Sequence, residues 1–205
     1  MKQWSLALCL ALALVLTACA GGNSSQNSSA QSPSDAGDTN QSNSAADSGA
    51  QEAAGLLSSF STTDLEGNAV DQSILEDYDL TMVNVWATYC TPCLQEMPEL
   101  GELAAEYEER GVQIVGLVSD VLSSDGTVSD SQIETAQEIV AETGADYPHL
   151  IPSADLMGLL SQIYGVPTTF FVDSEGNQVG YAYVTAMERE QFVEIIDAAL
   201  AEVAA

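Results

Sequence analysis

The sequence predicts an α/β fold in which a mixed central sheet is flanked by helices, and three observations carry that expectation. Apolar, β-branched runs of strand length alternate with stretches of helical periodicity. The last two strand-like runs are joined by a turn signal. The chain beyond its polar leader, about 150 residues, is the size of one domain. The elements follow in order. Residues 60–63 and 69–70 flank Asp64-Leu65-Glu66-Gly67-Asn68, a turn sequence, so an opening hairpin is expected. Residues 81–86 read as a buried strand. Residues 92–110 carry Met97, Leu100, Ala104 and Tyr107 at helical spacing, with Glu96, Glu99, Glu102 and Glu106 on a neighbouring stripe, and Gly111 is a suitable terminator. Residues 112–118 form a second buried strand. A polar stretch then leads to a helix over 131–143 closed by Gly144, and residues 153–164 read as a further helix capped by Ser153. Residues 168–172 and 179–184 are strands joined by Asp173-Ser174-Glu175-Gly176-Asn177, and residues 188–203 form a closing amphipathic helix.

Lys and Arg total 3 against 31 acids, for a formal net charge of −28. Nucleic acid is excluded as a partner, because too few cations are present to replace the counterions of a phosphate backbone. The surface is expected to be acidic and self-repelling, the chain a monomer, and any electrostatically docked protein partner basic. Residues 1–18 have the layout of a secretory signal: Lys2, an apolar run over 6–16, then small residues. The run is shorter than the ~20 residues of a spanning helix. Leu16-Thr17-Ala18-Cys19 resembles the lipobox of bacterial lipoproteins, which implies that Cys19 is lipidated and that Cys9 leaves with the signal. Residues 19–55 are then a tether. From residue 21 onward it has no large apolar side chain to offset its ordering entropy, and its root-mean-square span is roughly 30 Å. Residues 56–205 are left to fold.

The chemistry lies in Trp86-Ala87-Thr88-Tyr89-Cys90-Thr91-Pro92-Cys93, where a buried strand hands over to a helix. Two cysteines at this spacing on a first helical turn can close and reopen a small disulfide. Cys90, expected to face solvent near the helix N-terminus, has its thiolate favoured by unpaired N–H groups and the helix dipole, and reads as the nucleophile. Cys93, one turn deeper, reads as the resolving thiol. Pro92 suits the first turn because its missing N–H needs no partner there. A zinc knuckle is disfavoured: beyond Cys19 only Cys90, Cys93 and His149 remain as soft ligands, too few for four-coordination, and no metal or other cofactor is expected. A permanent staple would close too short a loop to stabilise much. His149, the only histidine, has no motif around it and reads as a loop residue, satisfied or exposed, rather than a catalytic one.

With these residues in place, the chain resembles the thioredoxin superfamily and, within it, the extracytoplasmic TlpA/ResA-like thiol-disulfide oxidoreductases. The resemblance rests on residues 83–93, on Glu96-Met97-Pro98, and on Tyr164-Gly165-Val166-Pro167-Thr168-Thr169-Phe170-Phe171-Val172-Asp173. It implies a thioredoxin-like fold with an extra N-terminal β-hairpin and a central helical insertion, here about residues 119–152. It also implies a redox-active Cys90–Cys93 disulfide and a cis Pro167 facing it, with Val166 offering its backbone to a bound peptide. Glu96 matches an acid that takes the proton of Cys93. Asn84 departs from the pattern, since thioredoxin itself has a buried acid there. Trp86, Tyr89, Thr91 and Pro92 flank the pair as candidate substrate contacts, Trp86 being equally readable as core. The implied partners are exported proteins bearing disulfides and a membrane electron donor that relays thioredoxin electrons. The implied place is the outer face of a bacterial cytoplasmic membrane, held by lipid on Cys19. With acids and no nearby Lys or Arg after the thiols, a moderately depressed Cys90 pKa and a reducing role are expected. The rival readings are a peroxiredoxin-like thiol peroxidase, which lacks its activating Arg, and a copper(I) carrier, for which only His149 could complete the site.

Overall fold

The computed structural model describes residues 55–205. The segment read as signal, Cys19 and all of the tether but Gly55 lie outside the described residues. Strands β1 (Ser61–Thr63) and β2 (Ala69–Asp71) form the opening hairpin, and a 3₁₀ turn, Gln72–Leu75, follows. The chain continues through β3 (Leu80–Trp86), α1 (Thr91–Glu108), β4 (Val112–Val118) and α2 (Asp130–Thr143). It ends with β5 (His149–Leu150), α3 (Met157–Leu160), β6 (Thr168–Asp173), β7 (Gln178–Tyr183) and α4 (Arg189–Val203). The main sheet has the order β5-β4-β3-β6-β7, with β3, β4 and β5 parallel and β6 and β7 antiparallel to their neighbours.

Every residue of β3 and β4 is buried, which is why both read as unbroken apolar runs rather than as alternating ones. One face of the sheet carries Leu80, Met82 and Trp86 against α1 and α4. The other carries Val83, Val85, Val115 and Leu117 against Leu57, Phe60, Leu75 and the α3 region. Gly111 and Gly144 follow α1 and α2 with φ of 77° and 69°, the left-handed conformation that lets a helix stop without a Cβ clash. Inside α1, Pro98 lacks the N–H that would bond the preceding turn, so one rung is missing near the N-terminal end of the helix. Both Asp-x-Glu-Gly-Asn turns have one hydrogen-bond scheme. Asp64 Oδ1 accepts from the N–H of Glu66 and Asn68, and Asp173 Oδ1 from the N–H of Glu175 and Asn177.

Two expectations need correction. The helix expected over 153–164 shrinks to Met157–Leu160, because the bonds beside it are tight turns, from Leu156 N–H to Ser153 O and from Gln162 N–H to Leu159 O. Ser153 caps nothing, its hydroxyl being buried without a partner, and Gly158 lowers helix propensity mid-segment. His149 is not in a loop but in β5, paired with Gly116 at the sheet edge and only 2% exposed. Two residues are too few for a period to show.

Candidate active site

The strand β3 ends at Trp86, and the loop that follows delivers Cys90 to the N-cap of α1. Cys90 and Cys93 are joined by a disulfide with an S–S distance of 2.01 Å. Cys90 Sγ accepts the Cys93 backbone N–H at 3.2 Å, so the helix N-terminus is aimed at this sulfur. Cys93 has no accessible surface and Cys90 retains 5%. The order of exposure is the expected one, but Cys90 is far less open than solvent-facing, because both cysteines belong to the buried core that also holds Trp86 and Met97. Thr91 and Pro92 are exposed on the first turn, and Tyr89 is 75% exposed. The Val166–Pro167 peptide is cis; Pro167 is buried and Val166 half-buried. Among the described residues no hydrogen bond uses the N–H or C=O of Val166. A groove of about 360 Å³ between the loop before Cys90 and the segment before Pro167 is lined by Tyr89, Ser119, Met157, Tyr164 and Val166 among others. Tyr164 is 94% exposed.

Glu96 lies one turn beyond Cys93 on the same face of α1 and is buried, unlike the rest of its acidic stripe. Its Oε1 accepts from Asn84 Nδ2 at 2.9 Å and its Oε2 from the Met187 N–H at 3.2 Å. Burial pushes its pKa up to about 7, against the two hydrogen bonds, which favour the carboxylate, and with the help of Glu99. A cleft of about 240 Å³ lined by Pro92, Glu96, Glu99, Met187 and Glu188 leads from Glu96 toward solvent. Asn84, at the position where thioredoxin itself has a buried acid, therefore serves Glu96, and it also donates to Thr169 Oγ1 at 3.2 Å.

Trp86 is corrected as a substrate contact: it has no accessible surface, and its indole N–H donates to His149 Nδ1 at 3.2 Å. With both ring nitrogens of His149 engaged, the histidine offers no ligand to a copper ion held by the two sulfurs. Arg110 and Arg189 pair with Asp197 and with Glu102 and Glu106, on the surface shared by α1 and α4. Sequence reasoning missed Asp120. Its carboxylate accepts from the Thr88 N–H at 3.0 Å and the Thr88 hydroxyl at 2.6 Å, and Gln132 of α2 bonds the same pair. The insertion thus clamps the loop before Cys90. An acid just past the end of β4, level with the end of β3, was the available signal.

A five-stranded sheet of this order, with a Cys-x-x-Cys disulfide at the N-terminus of its first long helix and a cis-proline in the loop before β6, defines the thioredoxin-like redox enzymes. The pattern of the Redoxin family matches residues 47–200, and the chain belongs to that family. It is 31% identical over 143 residues to the thiol-disulfide oxidoreductase ResA of Halalkalibacterium halodurans, covering 67% of this chain and 73% of that protein. To the ResA of Bacillus anthracis it is 30% identical over 120 residues, and there it spans 63% of the relative's length, under two thirds. Among solved structures, a thioredoxin-family thiol:disulfide interchange protein from Chlorobium tepidum superposes with a TM-score of 0.57 at 25% identity, covering 69% of this chain and 93% of that one.

Proposed function

We propose that this chain is a membrane-tethered thiol-disulfide oxidoreductase that reduces disulfides in exported proteins. The observation that carries the reading is the Cys90 sulfur at the N-cap of α1, with Cys93 and then Glu96 buried in sequence behind it. The Cys90 thiolate attacks a substrate disulfide, forming a mixed disulfide and releasing one substrate thiolate, which takes a proton from solvent. Cys93 gives its proton to Glu96 and attacks Cys90 Sγ. The mixed disulfide breaks, the second substrate sulfur leaves as a thiolate that takes a proton from solvent, and the Cys90–Cys93 disulfide remains. Two electrons have passed to the substrate, and the Glu96 proton leaves through the cleft beside it.

The substrate lies in extended form over Tyr89, Thr91 and Pro92, its backbone bonded to Val166 beside Pro167 and a side chain in the groove under Tyr164. Lipid on Cys19 holds the domain at the outer face of the cytoplasmic membrane, where a membrane protein relaying thioredoxin electrons reduces the disulfide again. Glu99 and Glu188 beside Glu96 favour the reducing direction, because negative charge opposes thiolate formation. The reduction potential of the Cys90–Cys93 pair, measured in graded dithiol buffers with Cys93→Ala as control, tests this. A value near or below thioredoxin's ≈ −270 mV is expected, and one near ≈ −120 mV would make the chain an oxidant. Cys93→Ala is also expected to accumulate a mixed disulfide with substrate, which Cys90→Ala does not form.

A further inference from the structure

We propose that His149 is a positioning residue for the redox pair: its imidazole locks the Trp86 indole, and with it the backbone turn from which Cys90 emerges. The inference rests on Cys90 and Cys93 being the redox pair, and it assigns a role to a buried side chain that the chemistry above does not use. Four observations carry it.

The first is the seat. His149 lies beside Gly116 in the β4–β5 ladder, and a Cβ at position 116 would come 2.1 Å from His149 Nδ1. Only glycine leaves room for the ring there. The second is the hydrogen bonding. An indole N–H can only donate, so Nδ1 must accept from Trp86, the proton sits on Nε2, and Nε2 donates to the Ala145 carbonyl at 3.0 Å. One tautomer in one orientation satisfies both contacts. The third is packing: the Trp86 ring meets the imidazole edge-on, with centroids 5.5 Å apart, and the Tyr147 ring lies tilted against the imidazole at 4.4 Å.

The fourth observation is what Trp86 itself holds. Its carbonyl accepts from both the Ser119 N–H at 2.8 Å and the Ser119 hydroxyl at 2.9 Å, and the next carbonyl, of Ala87, accepts the Cys90 N–H at 3.0 Å. Trp86 is thus fixed at its backbone by the end of β4 and at its indole by β5, and the turn to Cys90 starts from that fixed point. Burial keeps the imidazole neutral, which preserves Nδ1 as an acceptor.

The test uses the full chain carrying Trp4→Phe, so that Trp86 is the single indole. Three variants are compared. His149→Leu removes the acceptor; Gly116→Ala displaces the ring; His149→Asn returns an amide oxygen close to the Nδ1 position. The readouts are the Trp86 indole N–H resonance, the Cys90–Cys93 equilibrium with dithiothreitol, and kcat/KM for insulin disulfide reduction. His149→Leu and Gly116→Ala are expected to shift the resonance and to lower kcat/KM on the order of tenfold, short of the ~100-fold that a full ~1 Å misplacement of a reacting group can cost. They are also expected to weaken the reduced form tenfold, a potential about 30 mV more negative. His149→Asn is expected to restore most of each. Wild-type potential and turnover in folded His149→Leu would reduce His149 to a core residue. If His149→Leu does not fold, the same result in Gly116→Ala overturns the proposal. A parent chain with no disulfide turnover would refute the redox reading itself, whereas unchanged variants beside an active parent refute this inference alone.

Discussion

At Glu96, burial and hydrogen bonding pull in opposite directions, and burial wins. Its folded pKa of about 7 lies above the 4.5 of an exposed glutamate, so the native state holds more protons than the unfolded chain between those values. The stability this gives is complete below pH 4.5 and is lost as pH rises through 7. His149 runs the other way. Its folded value of about 4 lies below the usual 6.5, so its contribution is complete above pH 6.5 and is lost as pH falls through 4. Glu96→Gln should therefore gain on the wild type by roughly 2 kcal/mol between pH 5 and pH 8, after allowing for the solvent in the adjoining cleft. Urea unfolding of both proteins at a series of pH values checks this, and a pH-independent difference would refute the burial argument. On the proposed mechanism, in which Glu96 takes the Cys93 proton, the same variant should flatten the rise of disulfide turnover around pH 7. His149→Asn should lose less stability than the wild type between pH 6.5 and pH 4.

At the scale of elements, the redox loop is held from both sides. Asp120 takes the backbone N–H and the hydroxyl of Thr88, and α2 braces the pair through Gln132. Asp120→Ala leaves a part-buried N–H without its acceptor, at a cost of about 1–3 kcal/mol. Disulfide turnover should fall along with the melting temperature; full turnover in a destabilised variant would show that the clamp serves the fold alone. The two Asp-x-Glu-Gly-Asn turns offer a matched comparison. Asp173 closes a turn within the main sheet whose Gly176 carbonyl also receives the Leu57 N–H, while Asp64 closes the small hairpin. Asp173→Ala should therefore be the more destabilising, by about 1 kcal/mol in chemical denaturation. The same turn sequence is readable in both places, because its bonds run between residues two and four apart. The α3 region misleads for the opposite reason: apolar spacing implies a long helix, but burying Leu156 and Leu159 on the second face and then turning toward Pro167 leaves one helical turn between tight ones.

For the whole molecule, charge dominates. Both arginines among the described residues are already engaged with acids at partly exposed sites, so the remaining carboxylates repel one another across the surface. Added salt screens this repulsion, and the melting temperature should rise from low ionic strength to about 0.5 M NaCl. Over the same range, reduction of a basic disulfide-bearing protein should slow and that of an acidic one should quicken. Equal salt responses for both substrates would show that the groove beside Tyr89 and Tyr164, rather than the charge field, governs encounter.

The sequence by itself determined the alternation of strands and helices, the helix stops at Gly111 and Gly144, and the placing of Cys90 and Cys93 on the first turn of α1. These depend on periodicity, caps and turns, which act between residues a few positions apart. Only the tertiary structure decided that Glu96 is buried, that Asn84 and the Met187 N–H hold its carboxylate, that Trp86 is covered and tied to His149, and that Asp120 grips Thr88. Those partners stand 91 positions apart for Met187 and Glu96, 63 for Trp86 and His149, and 32 for Thr88 and Asp120. Whether such a pair meets is set by strand order and register in the finished sheet. A buried polar group then takes whichever partner the fold brings within reach, because leaving it unpaired costs more than any local preference supplies.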